Sequence, residues 1–206
     1  MSAPGQSAAP VRPLRILTVC SHNRTRSVMM AALLDSMLTE RLGDGAVRIR
    51  SSGFGPVDLP PIEDAVDAMA RRGLDVSAHR SSTTTAALVD GADLVLTAER
   101  AHVVKIAAMS PEGFRRAMTL PEFLDAAAVS GRDDADVESW VRSLTAERTA
   151  GEYLRGAIGE IPDPTGSPPR AFEAAVVVLE QQCREAAGWV ADRAEGPGDA
   201  AAGLPL

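Results

Sequence analysis

Short apolar runs alternate with segments of helical periodicity along most of the chain. Residues 14–19 (LRILTV) form a run suited to a buried strand. Apolar residues then recur at helical spacing from Met30 to Leu38, and Gly43 follows as a suitable C-cap. The pattern therefore predicts a strand, a loop and a helix in this order.

The same alternation repeats further along the chain. Three further strands are predicted at residues 47–50, 94–97 and 117–120. Apolar residues at helical spacing lie between these strands. The same spacing predicts a last long helix from Arg170 to about Asp192. Strands that alternate with helices of this length predict a parallel sheet covered on both faces. We therefore expect an α/β fold of three layers, with a four-stranded parallel sheet between two layers of helices.

The two ends and one internal stretch differ from the rest. Residues 1–13 and 195–206 are rich in Ala, Gly and Pro and are predicted to be flexible tails, because they cannot bury enough apolar area. Residues 125–160 are polar and Ala-rich, but an apolar stripe within them predicts a helical excursion. Residues 161–169 (IPDPTGSPP) contain four prolines, which exclude regular structure. The prediction is one domain over residues 14–194 between two tails.

Composition and charge narrow the functional classes. The 28 acidic and 21 basic residues give a formal net charge of −7, which argues against a nucleic-acid partner. No apolar run approaches the about 20 residues that span a bilayer, and the N-terminus lacks the pattern of a signal peptide. We therefore expect a cytoplasmic protein without a membrane partner. The two cysteines, Cys20 and Cys183, are too few for a disulfide framework, and the three scattered histidines predict no metal site.

Residues 20–27 (CSHNRTRS) lie where a predicted buried strand is followed by a helix. Ligands of α/β proteins bind at this place. A short loop that turns into a helix directs successive backbone N–H groups into one concavity, which suits an anion. Arg26 adds a planar guanidinium that matches two phosphate oxygens, with Cys20 at the bottom facing the phosphorus.

The groups that would bind an anion also favour a thiolate at Cys20, because such settings lower a cysteine pKa to roughly 3.5 to 7.5. A thiolate in line with phosphorus is a nucleophile, so a phosphocysteine intermediate follows. Ser27 could donate its hydroxyl to the sulfur and help it leave when water attacks. Taken alone, Cys-x5-Arg is a short pattern, and a buried cysteine is often only a small core residue.

These residues and three later positions resemble the low-molecular-weight protein tyrosine phosphatases, whose relatives include arsenate reductases of the same fold. Residues 20–27 match the family's Cys-x5-Arg-Ser loop, and Asp163 with Pro164 matches its late Asp-Pro pair. The resemblance covers residues 14–192 apart from the excursion. The remaining matches are the asparagine that supports the loop, the serine after the second strand and the histidine after the second helix, at Asn23, Ser51 and His79.

The resemblance implies a phosphatase without a cofactor, with Cys20 as nucleophile, Arg26 as the phosphoryl-binding side chain and Asp163 as general acid and base. Its substrate would be a phosphorylated protein, such as one with phosphotyrosine, or a small phosphomonoester. The matching segment of residues 79–81 (HRS) and the Asp-Pro pair favour phosphoester hydrolysis over arsenate reduction. The substrate-binding loop would comprise Ser21, His22, Asn23, Arg24, Thr25 and Ser27, and its shape would be fixed by Asn23, Ser51 and His79.

Several positions depart from the family pattern and leave alternatives open. His22 replaces the usual Gly, and the loop is also similar to that of actinobacterial-type arsenate reductases. A reductase with an internal cysteine cascade needs thiols near the third strand, where residues 97–100 (TAER) stand, whereas one that uses a small external thiol needs only Cys20. A catalytically weak phosphate-binding or interaction module is the third alternative. Thr165 and Gly166 replace the aromatic residues that often follow the Asp-Pro pair in the family and pack against a phosphotyrosine ring. The sequence therefore does not identify the substrate.

Overall fold

The computed structural model describes residues 12–130 and 136–195. Its four strands are β1 (Leu14–Cys20), β2 (Val47–Gly53), β3 (Leu94–Thr97) and β4 (Ala117–Thr119). Its α-helices are α1 (Arg26–Leu42), α2 (Glu63–Ala70), α3 (Ala86–Asp90), α4 (Arg100–Met109), α5 (Leu120–Ser130), α6 (Val137–Ser143), α7 (Ala150–Arg155) and α8 (Pro169–Ala194). Among the described residues, no helix combines the length and apolarity needed to cross a membrane.

The four strands form one parallel sheet in the order β2-β1-β3-β4. The chain passes from β1 to β2 on one side and then crosses to β3 on the other side of β1. The order of the strands therefore reverses at β1, and such a switch point opens a crevice at the carboxyl ends of the strands. Cys20, the last residue of β1, pairs with Gly53 at this edge.

Alternate side chains of the strands supply the two cores, because successive strand residues point to opposite faces. On one face, Ile16 and Leu96 pack with the apolar sides of α1 and α8. On the other face, Leu17 and Val95 pack with Val103 and other residues of α3 and α4. The predicted α/β architecture, a four-stranded parallel sheet with helices on both faces, is confirmed.

The structure differs from the sequence-based prediction mainly at the ends of elements. Strand β2 runs to Gly53 rather than Arg50, because its pairing with β1 continues as far as Cys20 and Gly53. Leu120, predicted as the end of β4, is instead the first residue of α5. The short helix α3 was not predicted. Residues 1–11, 196–206 and 131–135, which belong to the predicted tails and excursion, lie outside the described residues.

Candidate active site

The loop between β1 and α1 turns sharply and packs closely against the end of β2. Asn23 is fully buried and adopts a left-handed backbone conformation with φ of 54°, which Asn tolerates better than most residues. A Cβ atom at Gly53 would lie 2.7 Å from the Asn23 nitrogen. Gly53 therefore permits β2 to approach the loop.

Asn23 holds the loop in shape through hydrogen bonds of its side-chain amide and its carbonyl oxygen. Its Nδ2 donates to the Ser27 hydroxyl at 3.0 Å and to the Ser51 hydroxyl at 2.9 Å. Its Oδ1 accepts from the Ser82 N–H at 2.9 Å, and its carbonyl oxygen accepts from His79 Nε2 at 2.8 Å. The structure thus brings together Asn23, Ser51 and His79 as the resemblance implied, and adds Ser82, which the sequence did not single out.

Cys20 lies at the bottom of the loop with 3% of its surface exposed. Its sulfur is 3.0 Å from the Ser27 hydroxyl oxygen. Asn23 donates to the same oxygen and so holds the Ser27 hydroxyl beside the sulfur, where it can donate to a thiolate. Helix α1 begins at Arg26, and Thr25 at its N-cap makes no side-chain capping hydrogen bond. The N-terminal end of α1 therefore presents uncapped N–H groups that favour negative charge beside Cys20.

Arg26 is buried, with 3% of its side chain exposed, and is surrounded by acceptors. Its Nη1 donates to Glu99 Oε1 at 2.5 Å and to the Ile161 carbonyl at 3.0 Å. Its Nη2 donates to Asp163 Oδ2 at 2.8 Å. Residues from α1, the end of β3 and the segment before α8 therefore meet at one guanidinium.

Asp163 stands on the Pro-rich segment and faces the loop. Burial alone would raise the pKa of its carboxyl group, but hydrogen bonds from Thr165 and the charges of Arg26 and His22 outweigh burial, so the pKa lies below its usual value. Thr165 donates to Asp163 Oδ1 through its N–H at 3.1 Å and its hydroxyl at 2.8 Å. The Thr165 hydroxyl also lies 3.2 Å from that of Thr25, which joins this segment to the loop.

A second network, which the sequence analysis missed, links the loop to the start of α4. His102 Nδ1 accepts from the Glu99 N–H at 3.2 Å, so its Nε2 carries the proton and donates to the Ser21 hydroxyl at 3.1 Å. Burial lowers the pKa of His102 to about 4. Phe54 stacks on the imidazole ring at a centroid distance of 5.8 Å. The spacing Glu-x-x-His directly after a predicted strand was the available signal, since residues at N-cap and N3 commonly bond each other.

A cavity of about 70 Å³ opens above Cys20. Its lining residues are Cys20, His22, Arg24, Thr25, Arg26, Ile62, Asp163 and Thr165. The predicted loop residues therefore divide into two groups. His22, Arg24 and Thr25 line the cavity, whereas the side chains of Ser21, Asn23 and Ser27 bond other parts of the site and do not line it.

The second cysteine lies away from this chemistry. Cys183 is fully buried on α8, and burial raises the pKa of its thiol above the usual value. Cys183 therefore belongs to the core, and no second thiol faces Cys20, since the chain contains only these two cysteines. Within residues 12–130 and 136–195, no group of three or more His, Cys, Asp or Glu side chains is arranged to hold a metal ion.

Known proteins share this arrangement of sequence and fold. A sequence model described as low molecular weight phosphotyrosine protein phosphatase matches residues 15–140, which include the whole loop and the Glu99 and His102 network. The chain belongs to this family. The resemblance to this family that the sequence analysis identified is confirmed. Asp163 lies beyond the matched range, so its place in the site rests on the geometry described above.

Individual relatives are phosphatases of two named kinds. The probable low molecular weight protein-tyrosine-phosphatase EpsP of Ralstonia nicotianae is 37% identical over 97 residues, 47% of this chain and 63% of the relative. A protein-arginine-phosphatase of Geobacillus stearothermophilus is 30% identical over 169 residues, 82% of this chain and 90% of the relative. A cysteine-to-serine mutant of YwlE arginine phosphatase with a phosphorylated active site serine has a TM-score of 0.62 at 26% identity, covering 85% of this chain and 94% of that one. The match to EpsP covers less than two thirds of the length of EpsP.

Proposed function

We propose that the protein hydrolyses phosphomonoesters through a phosphocysteine formed on Cys20. The observation that carries the proposal is that Cys20, Arg26 and Asp163 line one cavity. At about 70 Å³ the cavity is far smaller than the about 300 Å³ or more of sites that enclose a whole ligand. It therefore suits a phosphoryl group, with the leaving group lying at the mouth.

In the first step the Cys20 thiolate attacks phosphorus, and the bond from phosphorus to the leaving oxygen breaks. Uncapped N–H groups at the start of α1 favour the thiolate and the phosphoryl oxygens alike. The Arg26 guanidinium binds phosphoryl oxygens as a two-pronged donor. Asp163 gives its proton to the leaving oxygen, which departs as an alcohol or phenol.

Asp163 must gain a proton before it can act as an acid. Without substrate its carboxylate is bonded to Arg26, and its pKa is held below the usual value. A bound phosphoryl group takes over the guanidinium and brings negative charge close to the carboxylate, and both changes raise the pKa of Asp163. Substrate binding therefore promotes protonation of the acid.

In the second step water attacks the phosphocysteine while Asp163, now a carboxylate, accepts a proton from it. The bond from phosphorus to sulfur breaks, and inorganic phosphate forms. The Ser27 hydroxyl, 3.0 Å from the sulfur, stabilises the thiolate that leaves. The support of Ser27 by Asn23 gives the asparagine and its partners Ser51 and His79 a positioning role in the cycle.

Family membership and the named relatives support the proposal. The solved YwlE mutant carries a phosphoryl group on a serine that replaces a cysteine, as expected if the residue at the position of Cys20 receives the phosphoryl group. The named relatives are a probable protein-tyrosine-phosphatase and a protein-arginine-phosphatase. For this chain we propose a phosphorylated protein or a small phosphomonoester as substrate, and the cytoplasmic location stays a prediction.

Hydrolysis of 4-nitrophenyl phosphate in the presence of a metal chelator tests the proposal. Cys20→Ser is expected to reduce kcat by at least about 10³-fold, while phosphate or vanadate still binds in calorimetry. Cys183→Ala is the matched control, because its thiol lies in the core away from the cavity, and it should keep the wild-type rate. A near-normal rate for Cys20→Ser would overturn the mechanism. Arsenate-dependent oxidation of a small thiol, without phosphate release from esters, would instead identify a reductase.

A further inference from the structure

The rim of the cavity is polar and positively charged. The buried lining residues Cys20, Thr25 and Arg26 form the floor, whereas His22 and Thr165 are exposed. No Phe, Tyr or Trp among the described residues lines the cavity. Phe54, the aromatic residue in the loop after β2, stacks on His102 and carries the Lys105 ammonium 4.7 Å from its ring centroid. A leaving group at the mouth therefore meets polar side chains rather than an aromatic wall.

Arg24 is fixed at this rim by two contacts with the segment before α2. Its Nε donates to the Pro60 carbonyl at 2.7 Å. Its own carbonyl accepts from the Ile62 N–H at 3.1 Å. Both the backbone and the side chain of Arg24 are thus held in place, so a ligand that binds the guanidinium orders little that is not already ordered.

Among the residues that the structure describes, the charge of Arg24 has no ion-pair partner. Its side chain donates only through Nε, to the Pro60 carbonyl, and its two terminal nitrogens bond no acceptor within that part of the chain. The nearby carboxylates of Glu99 and Asp163 are both bonded to Arg26. His22 adds a second basic side chain near enough to Asp163 to lower the pKa of that carboxyl group. In a chain with a net charge of −7 this rim is a local exception.

We infer that Arg24 selects phosphomonoesters whose leaving group carries a second negative charge. The inference rests on the proposed hydrolysis at Cys20 and specifies its substrate. While the phosphoryl group occupies the cavity, a carboxylate or second phosphate on the leaving group lies against the free edge of the Arg24 guanidinium. A planar guanidinium binds such groups through two parallel hydrogen bonds. The anion can belong to a small metabolite or to an acidic residue beside a phosphorylated side chain.

The test compares 4-carboxyphenyl phosphate with 4-carbamoylphenyl phosphate. The two esters have nearly the same size and shape, but only the first has a negatively charged leaving group. For the wild type we expect kcat/KM to favour the charged ester about three- to tenfold at low salt. Added salt should reduce this ratio, because the guanidinium is at the surface. Phosphotyrosine peptides flanked by Asp or by Asn, assayed in parallel, separate a peptide source of the anion from a small-molecule source.

Three variants complete the test. Arg24→Gln should bring the ratio of kcat/KM for the two esters to about one. Arg24→Lys should keep part of the preference for the charged ester, since an ammonium group has the charge but not the two parallel N–H donors of a guanidinium. Arg50→Gln removes an exposed arginine on β2 that does not line the cavity, and it should leave the ratio as in the wild type.

The outcomes separate this inference from the proposed function. Turnover of both esters by the wild type at equal kcat/KM would overturn the inference and leave the proposed hydrolysis intact. The same holds if Arg24→Gln keeps the wild-type ratio. No turnover of either ester, together with none of 4-nitrophenyl phosphate, would overturn the proposed function and with it the inference.

Discussion

Acidification from pH 7 to pH 5 is expected to reduce the free energy of unfolding by about 2 kcal/mol through His102 alone. The imidazole is 1% exposed, and both of its nitrogens are bonded, to the Glu99 N–H and the Ser21 hydroxyl. Burial lowers its pKa to about 4, whereas a histidine in an unfolded chain titrates near about 6.5.

The sign of the effect follows from the two pKa values. Between them the unfolded chain binds a proton that folded His102 does not, so the free energy of unfolding falls as the pH falls. The loss is small at pH 7, about 2 kcal/mol at pH 5 and about 3 kcal/mol below pH 4. Asp163, Asp93 and Glu99 have lowered pKa values and lose their contributions only at more acidic pH. The range from pH 7 to pH 5 therefore isolates histidine.

Urea unfolding at pH 7, 6 and 5 measures this loss in the wild type and two variants. His102→Asn keeps an acceptor near the Glu99 N–H, His102→Gln keeps a donor near Ser21, and neither titrates. Both variants should lose about 2 kcal/mol less than the wild type over this range. His79, whose pKa burial also lowers, acts in the same direction in all three proteins and cancels in the comparison. An identical pH dependence in the three proteins would refute the assigned role of His102.

Two further substitutions test the proposed general acid Asp163 and the buried carboxylate of Asp93. Asp163→Asn should lower kcat for phenyl phosphate about 10² to 10⁴-fold, but much less for 4-nitrophenyl phosphate, whose leaving group departs without a proton; equal losses in steady-state assays of both esters would contradict the role of Asp163. Asp93, 2% exposed, accepts hydrogen bonds from Arg12 and Arg15, so Asp93→Ala should cost about 3 kcal/mol. Calorimetry should then show Tm lowered by about 6 to 12 °C, and a shift under about 2 °C would show that these ion pairs contribute little.

The sequence was most informative where the site is contiguous. The residues from Cys20 to Ser27 end a strand and begin a helix, so their position at the carboxyl edge of the sheet follows from local sequence alone. Glu99 and His102 escaped notice as site residues because they lie more than 70 residues from Arg26 along the chain. Their proximity depends on β3 lying beside β1, which the periodicity of single elements does not show.

The boundary between β4 and α5 shows a signal that was present in the sequence but not used. The run from Ala117 to Leu120 is apolar and fits a strand, yet the helix begins at Leu120. The Thr119 hydroxyl accepts from the Glu122 N–H, and the Glu122 carboxylate accepts from the Thr119 N–H, both at 3.1 Å. This reciprocal pair, with Pro121 in the first turn, is the usual start of a helix. The capping pair, rather than the apolar character of the run, therefore determines where β4 ends and α5 begins.

The segment before α3 pairs with the last residue of the edge strand β2 and also supports Asn23. The Gly53 N–H donates to the Ser82 carbonyl at 2.9 Å, and the Thr84 N–H donates to the Gly53 carbonyl at 2.7 Å. The same Ser82 donates its N–H to Asn23. Local opening of this segment would therefore expose unpaired backbone groups of an edge strand, which invite aggregation. Because Ser82 bonds both Gly53 and Asn23, loss of the loop's support and exposure of the end of β2 are expected to occur together.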